Sequence, residues 1–100
     1  MAFPFSVRSI PSKNSNVVNV CDADLIGRTL SEGRLRMHIS REFFGGSLVE
    51  EEEAVRIIKE STMLSLAGER SVGIALTHRL GSPEAVRVIE GVPFLMIYKF

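Results

Sequence analysis

Period-two patterning at both ends of the chain, with helical spacing between, constrains the fold more than any other feature. Near the N-terminus Phe3, Phe5 and Val7 fall on one side and Ser6 and Arg8 on the other. A period of two marks a half-buried strand. Pro4 suits a strand start or a sheet edge. The run from Pro11 to Asn16 is made of turn formers, and Val17 to Val20 is rich in strand formers. Together these predict an N-terminal hairpin. At the other end Val86–Ile89 and Pro93–Phe100 are strand-like, with Glu90-Gly91 as the turn between them.

The middle is mostly helical. Asp22 can cap a short helix running through Asp24, Leu25, Ile26 and Leu30, with Gly33 as its end. Arg34 to Ser40 then alternates: Leu35, Met37 and Ile39 against Arg34, Arg36, His38 and Ser40. Phe43-Phe44-Gly45-Gly46 is an aromatic step into a glycine turn. Ser47 and Glu50 have capping-box spacing, although the helix can also begin nearer Glu50. Glu50 to Glu53 crowd a helix N-terminus, where the macrodipole tolerates negative charge. Ala54, Val55, Ile57 and Ile58 supply its buried stripe, and Arg56 is spaced to pair with Glu52 and Glu60. Met63, Leu64 and Leu66 read as an apolar link. Gly68 opens a second helix carried by Val72, Ala75, Leu76 and Leu80, with Gly81 as its stop. Ser82-Pro83-Glu84 can start one further turn. The expected order is β-β-(short α)-β-α-α-β-β over residues 1–100. This is one α+β domain: a mixed or antiparallel sheet with helices on one face.

One hundred residues, 45% of them apolar, suffice for a packed core without a staple. One cysteine cannot close an internal disulfide, and the two histidines lie in no zinc-type spacing. No metal or cofactor is expected. Twelve basic and twelve acidic residues cancel, which disfavours a bulk grip on nucleic acid or anionic lipid and permits self-association. The longest apolar run, Val92–Tyr98, is far short of a membrane span. No signal peptide is legible at the N-terminus. A cytoplasmic protein is expected.

Several segments in this order resemble an archaeal family catalogued as domain of unknown function 424. They are Val20-Cys21-Asp22-Ala23-Asp24-Leu25-Ile26-Gly27, His38-Ile39-Ser40 with Glu42-Phe43-Phe44-Gly45-Gly46, Glu51-Glu52-Glu53-Ala54, Leu66-Ala67-Gly68-Glu69-Arg70 and Gly91-Val92-Pro93. The resemblance runs from about Val17 to the end. It implies an archaeal cytoplasmic protein and no established reaction. The family pattern associates an asparagine with the position of Ser65 and a histidine with that of Phe94, and the chain departs from it at both.

Three function classes compete. Pro93 to Phe100 presents apolar residues on both faces: Leu95 and Ile97, with Lys99, against Phe94, Met96, Tyr98 and Phe100. That suits a buried central strand or a subunit interface, and it favours a self-associating protein-interaction or structural domain. The alternative is an RNA- or ribonucleoprotein-associated module. Arg34, Arg36 and His38 would share one strand face with Arg41 nearby, and arginines on a sheet can hold phosphates. A small enzyme using Cys21 ranks last. Asp22 and Asp24 beside the thiol oppose its ionisation, and no nucleophile–base–orienter set can be assembled.

Overall fold

The computed structural model describes residues 3–11 and 16–99. The expected turn at residues 12–15 and the last residue of the expected C-terminal strand, Phe100, lie outside the described residues. Strands β1 (Phe5–Pro11) and β2 (Asn16–Asp22) pair antiparallel, with Val7 opposite Val20. They form the N-terminal hairpin expected from the period-two pattern. After β2 the chain makes a single 3-10 turn, Ala23–Leu25. The hairpin β3 (Thr29–Glu32) and β4 (Leu35–His38) follows. The short helix expected through Leu30 does not form. The Gly27 amide donates to the Ile39 carbonyl, 2.7 Å, and the Ile39 amide to the Arg28 carbonyl, 2.9 Å. These bonds hold the segment extended and let Leu30 be buried from a strand. Gly33 therefore serves a hairpin turn, at φ 61°, and not a helix end.

Helix α1 (Arg41–Phe44) is capped by the Ser40 hydroxyl, which accepts from the Phe43 amide at 3.2 Å. Strand β5 (Ser47–Val49) takes the place of the helix start considered at Ser47, and α2 (Glu51–Glu60) begins after Glu50. Arg56 pairs with Glu53 and Glu60, not with Glu52. Residues expected as an apolar link form β6 (Met63–Ala67). Helix α3 (Glu69–Thr77) follows Gly68, and a 3-10 turn at Pro83–Ala85 leads to β7 (Arg87–Ile89) and β8 (Val92–Tyr98). Glu90 and Gly91 both have positive φ, 51° and 78°, as a two-residue hairpin turn requires.

Among the described residues six strands make one mixed sheet in the order β5-β1-β2-β6-β8-β7. Of their pairings, β2 with β6 is parallel and the others are antiparallel. The sheet carries a core on each side. Ala54 and Ile58 of α2 and Val72, Ile74 and Ala75 of α3 pack on Phe5, Val20, Leu64, Leu66, Leu95 and Ile97. On the opposite side Leu25, Leu30, Ile39 and Phe44 cover Cys21, Ala67 and Ile89. The two longer helices thus lie on one face, and the β3–β4 hairpin with α1 covers part of the other.

Candidate functional site

Directly opposed residues in neighbouring strands share a face. Ser65 lies opposite Asn19 of β2 and Met96 of β8, and Met63 lies opposite Tyr98. These residues therefore occupy the face away from α2 and α3. Among the described residues the hairpin and α1 cover one end of that face. On the uncovered half Met96 is 58% exposed and Tyr98 53%. An apolar cleft of about 340 Å³ opens where the covered and uncovered halves meet, lined by Met37, Ser65, Arg87, Phe94 and Met96 among others. Ser65 and Phe94 lie on its wall. Arg8, opposite Asn19, and Arg87, opposite Phe94, sit towards the two margins of the same face. Among the described residues no aspartate or glutamate occupies a strand position on it.

The Met63–Ala67 segment was hard to see in the sequence because Met, Leu and Ala are helix formers. The only cue was the alternation of Leu64 and Leu66 with Ser65. Once β6 is a strand, Met63 and Ser65 are placed on the open face.

Behind this face lies a rigid junction. Asp22, at the end of β2, is 7% exposed. Its Oδ2 accepts from the Arg70 amide at 3.0 Å. Its Oδ1 accepts from the Ser71 amide and the Ser71 hydroxyl, each at 2.8 Å. Asp22 therefore caps α3, distant in sequence, and not the turn that follows it. Gly68 sits at φ 110°, where a Cβ would lie 2.3 Å from the Asp22 Cγ. Its amide donates to the Pro93 carbonyl, 2.9 Å. Three of the segments that carry the family resemblance thus meet at one point. A polar cleft of about 230 Å³ between Asp24, Arg28, Glu69 and Gly91 lies over the junction.

The basic residues singled out in the sequence are only partly brought together. Arg34 lies in the β3–β4 turn, so it does not share a strand face with Arg36 and His38; β4 begins at Leu35 because Gly33-Arg34 reverses the chain. Met37 packs towards the core of the covered side, and alternation turns Arg36 and His38 outward. The His38 Nδ1 and the Thr29 hydroxyl are hydrogen-bonded at 3.0 Å. Arg41 opens α1 and is exposed. Among the described residues none of these arginines takes part in an ion pair; Glu32 instead accepts from the Glu90 amide, 2.9 Å. Cys21 is fully buried, and its thiol donates to the Asp22 carbonyl at 3.2 Å. Burial pushes the thiol up to about 12, with the charges of Asp22 and Asp24 adding to the effect. His38 lies outside hydrogen-bond reach of it among the contacts described.

The architecture defines a small α+β protein with a half-covered mixed sheet. The family described as "Protein of unknown function (DUF424)" matches residues 11–100, and the chain belongs to that family. No curated protein matches it. A solved structure, "Crystal structure of an uncharacterized conserved protein from Methanopyrus kandleri", is similar with a TM-score of 0.78 at 22% identity, over 94% of this chain and 90% of that one. The likeness is one of fold. Among the described residues no helix is long and apolar enough to cross a membrane.

Proposed function

We propose that this chain is a small cytoplasmic interaction and structural domain that self-associates through the uncovered half of its sheet. The exposure of Met96 and Tyr98, side by side on one strand next to an apolar cleft, carries the proposal. Large apolar side chains clustered on a regular surface mark contact sites more than isolated ones do. A net charge of zero adds no general repulsion between copies. Light scattering across a concentration series tests it. The expected mass exceeds that of the 11.1 kDa chain and falls on dilution, and Met96→Asp shifts the equilibrium towards monomer. A monomer mass at every concentration would rule self-association out.

A second reading has its own support. Arg8 and Arg87 flank the open face without a carboxylate between them, and Arg34, Arg36 and Arg41 are exposed close to the covered end. Such a surface suits an RNA- or ribonucleoprotein-associated module. Anisotropy of labelled single-stranded RNA and tRNA would decide it. Binding should weaken with salt at a log–log slope of about −0.7 per phosphate contact and lose slope in Arg34→Ala/Arg36→Ala. No binding at low salt would discard it.

A further inference from the structure

The apolar cleft at the boundary of the covered part of the sheet has the dimensions of a small-molecule site. The register of three strands builds its floor. Ser65 of β6 lies beside Met96 of β8, and Phe94 of β8 lies between Ala67 of β6 and Arg87 of β7. Ser65 is short, so β6 leaves room beside its larger neighbours. Met37 of the β3–β4 hairpin forms the facing wall and packs towards the covered core. The volume, about 340 Å³, lies within the range of about 300–1,000 Å³ that small-molecule sites occupy. A cavity of about 150 Å³ holds one benzene ring, so this one has room for about two fused rings.

The chemistry of the lining narrows the occupant. Among the described residues the lining holds one charged side chain, Arg87, and one hydroxyl, that of Ser65. Among the same residues Arg87 takes part in no ion pair. Carboxylates on the neighbouring segments are engaged elsewhere: Glu84 accepts from the Ser82 hydroxyl, and Glu90 from the Ser31 amide at 2.7 Å. The strand positions described on this face hold no aspartate or glutamate, so the counter-charge has to come from outside the sheet. A guanidinium is a planar fork that matches a carboxylate through two parallel bonds. One such fork suits a group of single charge. A phosphate monoester carries about two charges and would be left short of donors, since only Ser65 is at hand besides. The apolar part of the lining favours a ring over an alkyl chain. The thioethers of Met37 and Met96 gain from contact with aromatic rings, Phe94 gains from a second ring, and a guanidinium stacks on ring faces.

We propose that the cleft binds a small aromatic carboxylate, with its ring against Met37, Phe94 and Met96 and its carboxylate paired with Arg87. Ser65 sets the depth of the cleft. The site does not depend on self-association, which concerns the exposed face beyond it.

The probe is 2-naphthoate, which fluoresces, titrated with the full chain and followed by anisotropy. Binding should saturate with a Kd below about 1 mM. Arg87→Gln should weaken it about tenfold and leave the affinity for uncharged 2-naphthamide unchanged. Ser65→Met fills the cleft from its floor and should abolish binding of both probes. Arg87 is exposed and Ser65 lies outside the buried core, so both variants should keep the native circular dichroism and urea midpoint. Should Ser65→Met unfold, Arg87→Gln carries the test alone. Adenosine 5′-monophosphate, whose base carries several polar atoms, should bind more weakly than naphthoate. No saturable binding of naphthoate, or binding indifferent to Arg87→Gln, would overturn the site. Tighter binding of adenosine 5′-monophosphate would overturn the carboxylate in favour of a nucleotide. Each of these results is separate from the dependence of mass on concentration that decides self-association.

Discussion

At the residue scale the junction of Asp22, Gly68 and Ser71 fixes how α3 sits on the sheet. A buried carboxylate is costly unless its oxygens are occupied, and here two amides and a hydroxyl occupy them. Asp22→Ala removes all three bonds and strands the Ser71 hydroxyl, so a loss of about 3 kcal/mol is expected. Gly68→Ala meets two obstacles, a positive φ and the Asp22 carboxyl. It should cost about 3 kcal/mol or prevent folding. Urea unfolding measures both, and a native-like midpoint for either variant would contradict the role given to the junction. Cys21 gives a pH signature. Its folded thiol is pushed up to about 12, whereas an exposed thiol ionises near about 8.5. Below that range both states hold the proton. Between the two values the unfolded chain releases it first, so stability falls as pH rises. Native protein should lose more stability than Cys21→Ala from neutral to alkaline pH. The native thiol should resist alkylation at neutral pH until denaturant is added, and rapid labelling would revive a catalytic role.

At the element scale, side chains remote in sequence hold the ends of short elements. Helix α1 has four residues, too few to persist alone. The Ser6 hydroxyl donates to the Phe44 carbonyl at 2.8 Å and accepts from the Gly46 amide at 3.1 Å. The Asn19 side-chain amide donates to the Phe43 carbonyl, 2.6 Å. Ser6 is buried, so Ser6→Ala should cost about 2 kcal/mol and speed amide exchange in α1 more than in α2. At the end of α2, Lys99 satisfies two carbonyls that no turn of helix can reach. Burial lowers the affinity of its ammonium for the proton, yet the contact with a helix C-terminus remains favourable. Lys99→Ala should cost about 1 kcal/mol in thermal or urea unfolding. It should not weaken self-association, because the ammonium is turned from the open face.

At the scale of the whole molecule, one sheet separates two cores of unequal extent. The helical side is covered by α2 and α3 across β1, β2, β6 and β8. The other side is covered at one end by described residues, and Met96 and Tyr98 are exposed on the remainder. Association of folded copies stabilises the folded state by mass action. The melting temperature should therefore rise with protein concentration, and a melting temperature independent of concentration would count against self-association. The absence of strong charge bias makes that rise only weakly dependent on salt.

The strands at both ends, the two longer helices and the Glu90-Gly91 turn were legible because local pattern and final environment agree there. Ala54 and Ile58 or Leu95 and Ile97 take their periodicity from the one face they bury. The alternation of β8 also pointed to Met96 and Tyr98 as a surface distinct from Leu95 and Ile97. What remained hidden depends on long-range pairing. Met63–Ala67 becomes a strand because β2 and β8 offer it hydrogen bonds on both sides. Residues after Asp22 form a hairpin because Ile39 closes back on Gly27 and Arg28. Asp22 could be recognised as a capping residue from its type, but the helix it caps lies 48 residues away, at Arg70. The amino-acid sequence by itself determined the period of each segment and the residue types at its turns, since both act within a few positions. Only the tertiary structure decided which part of the sheet is covered, because that depends on which distant segments arrive there.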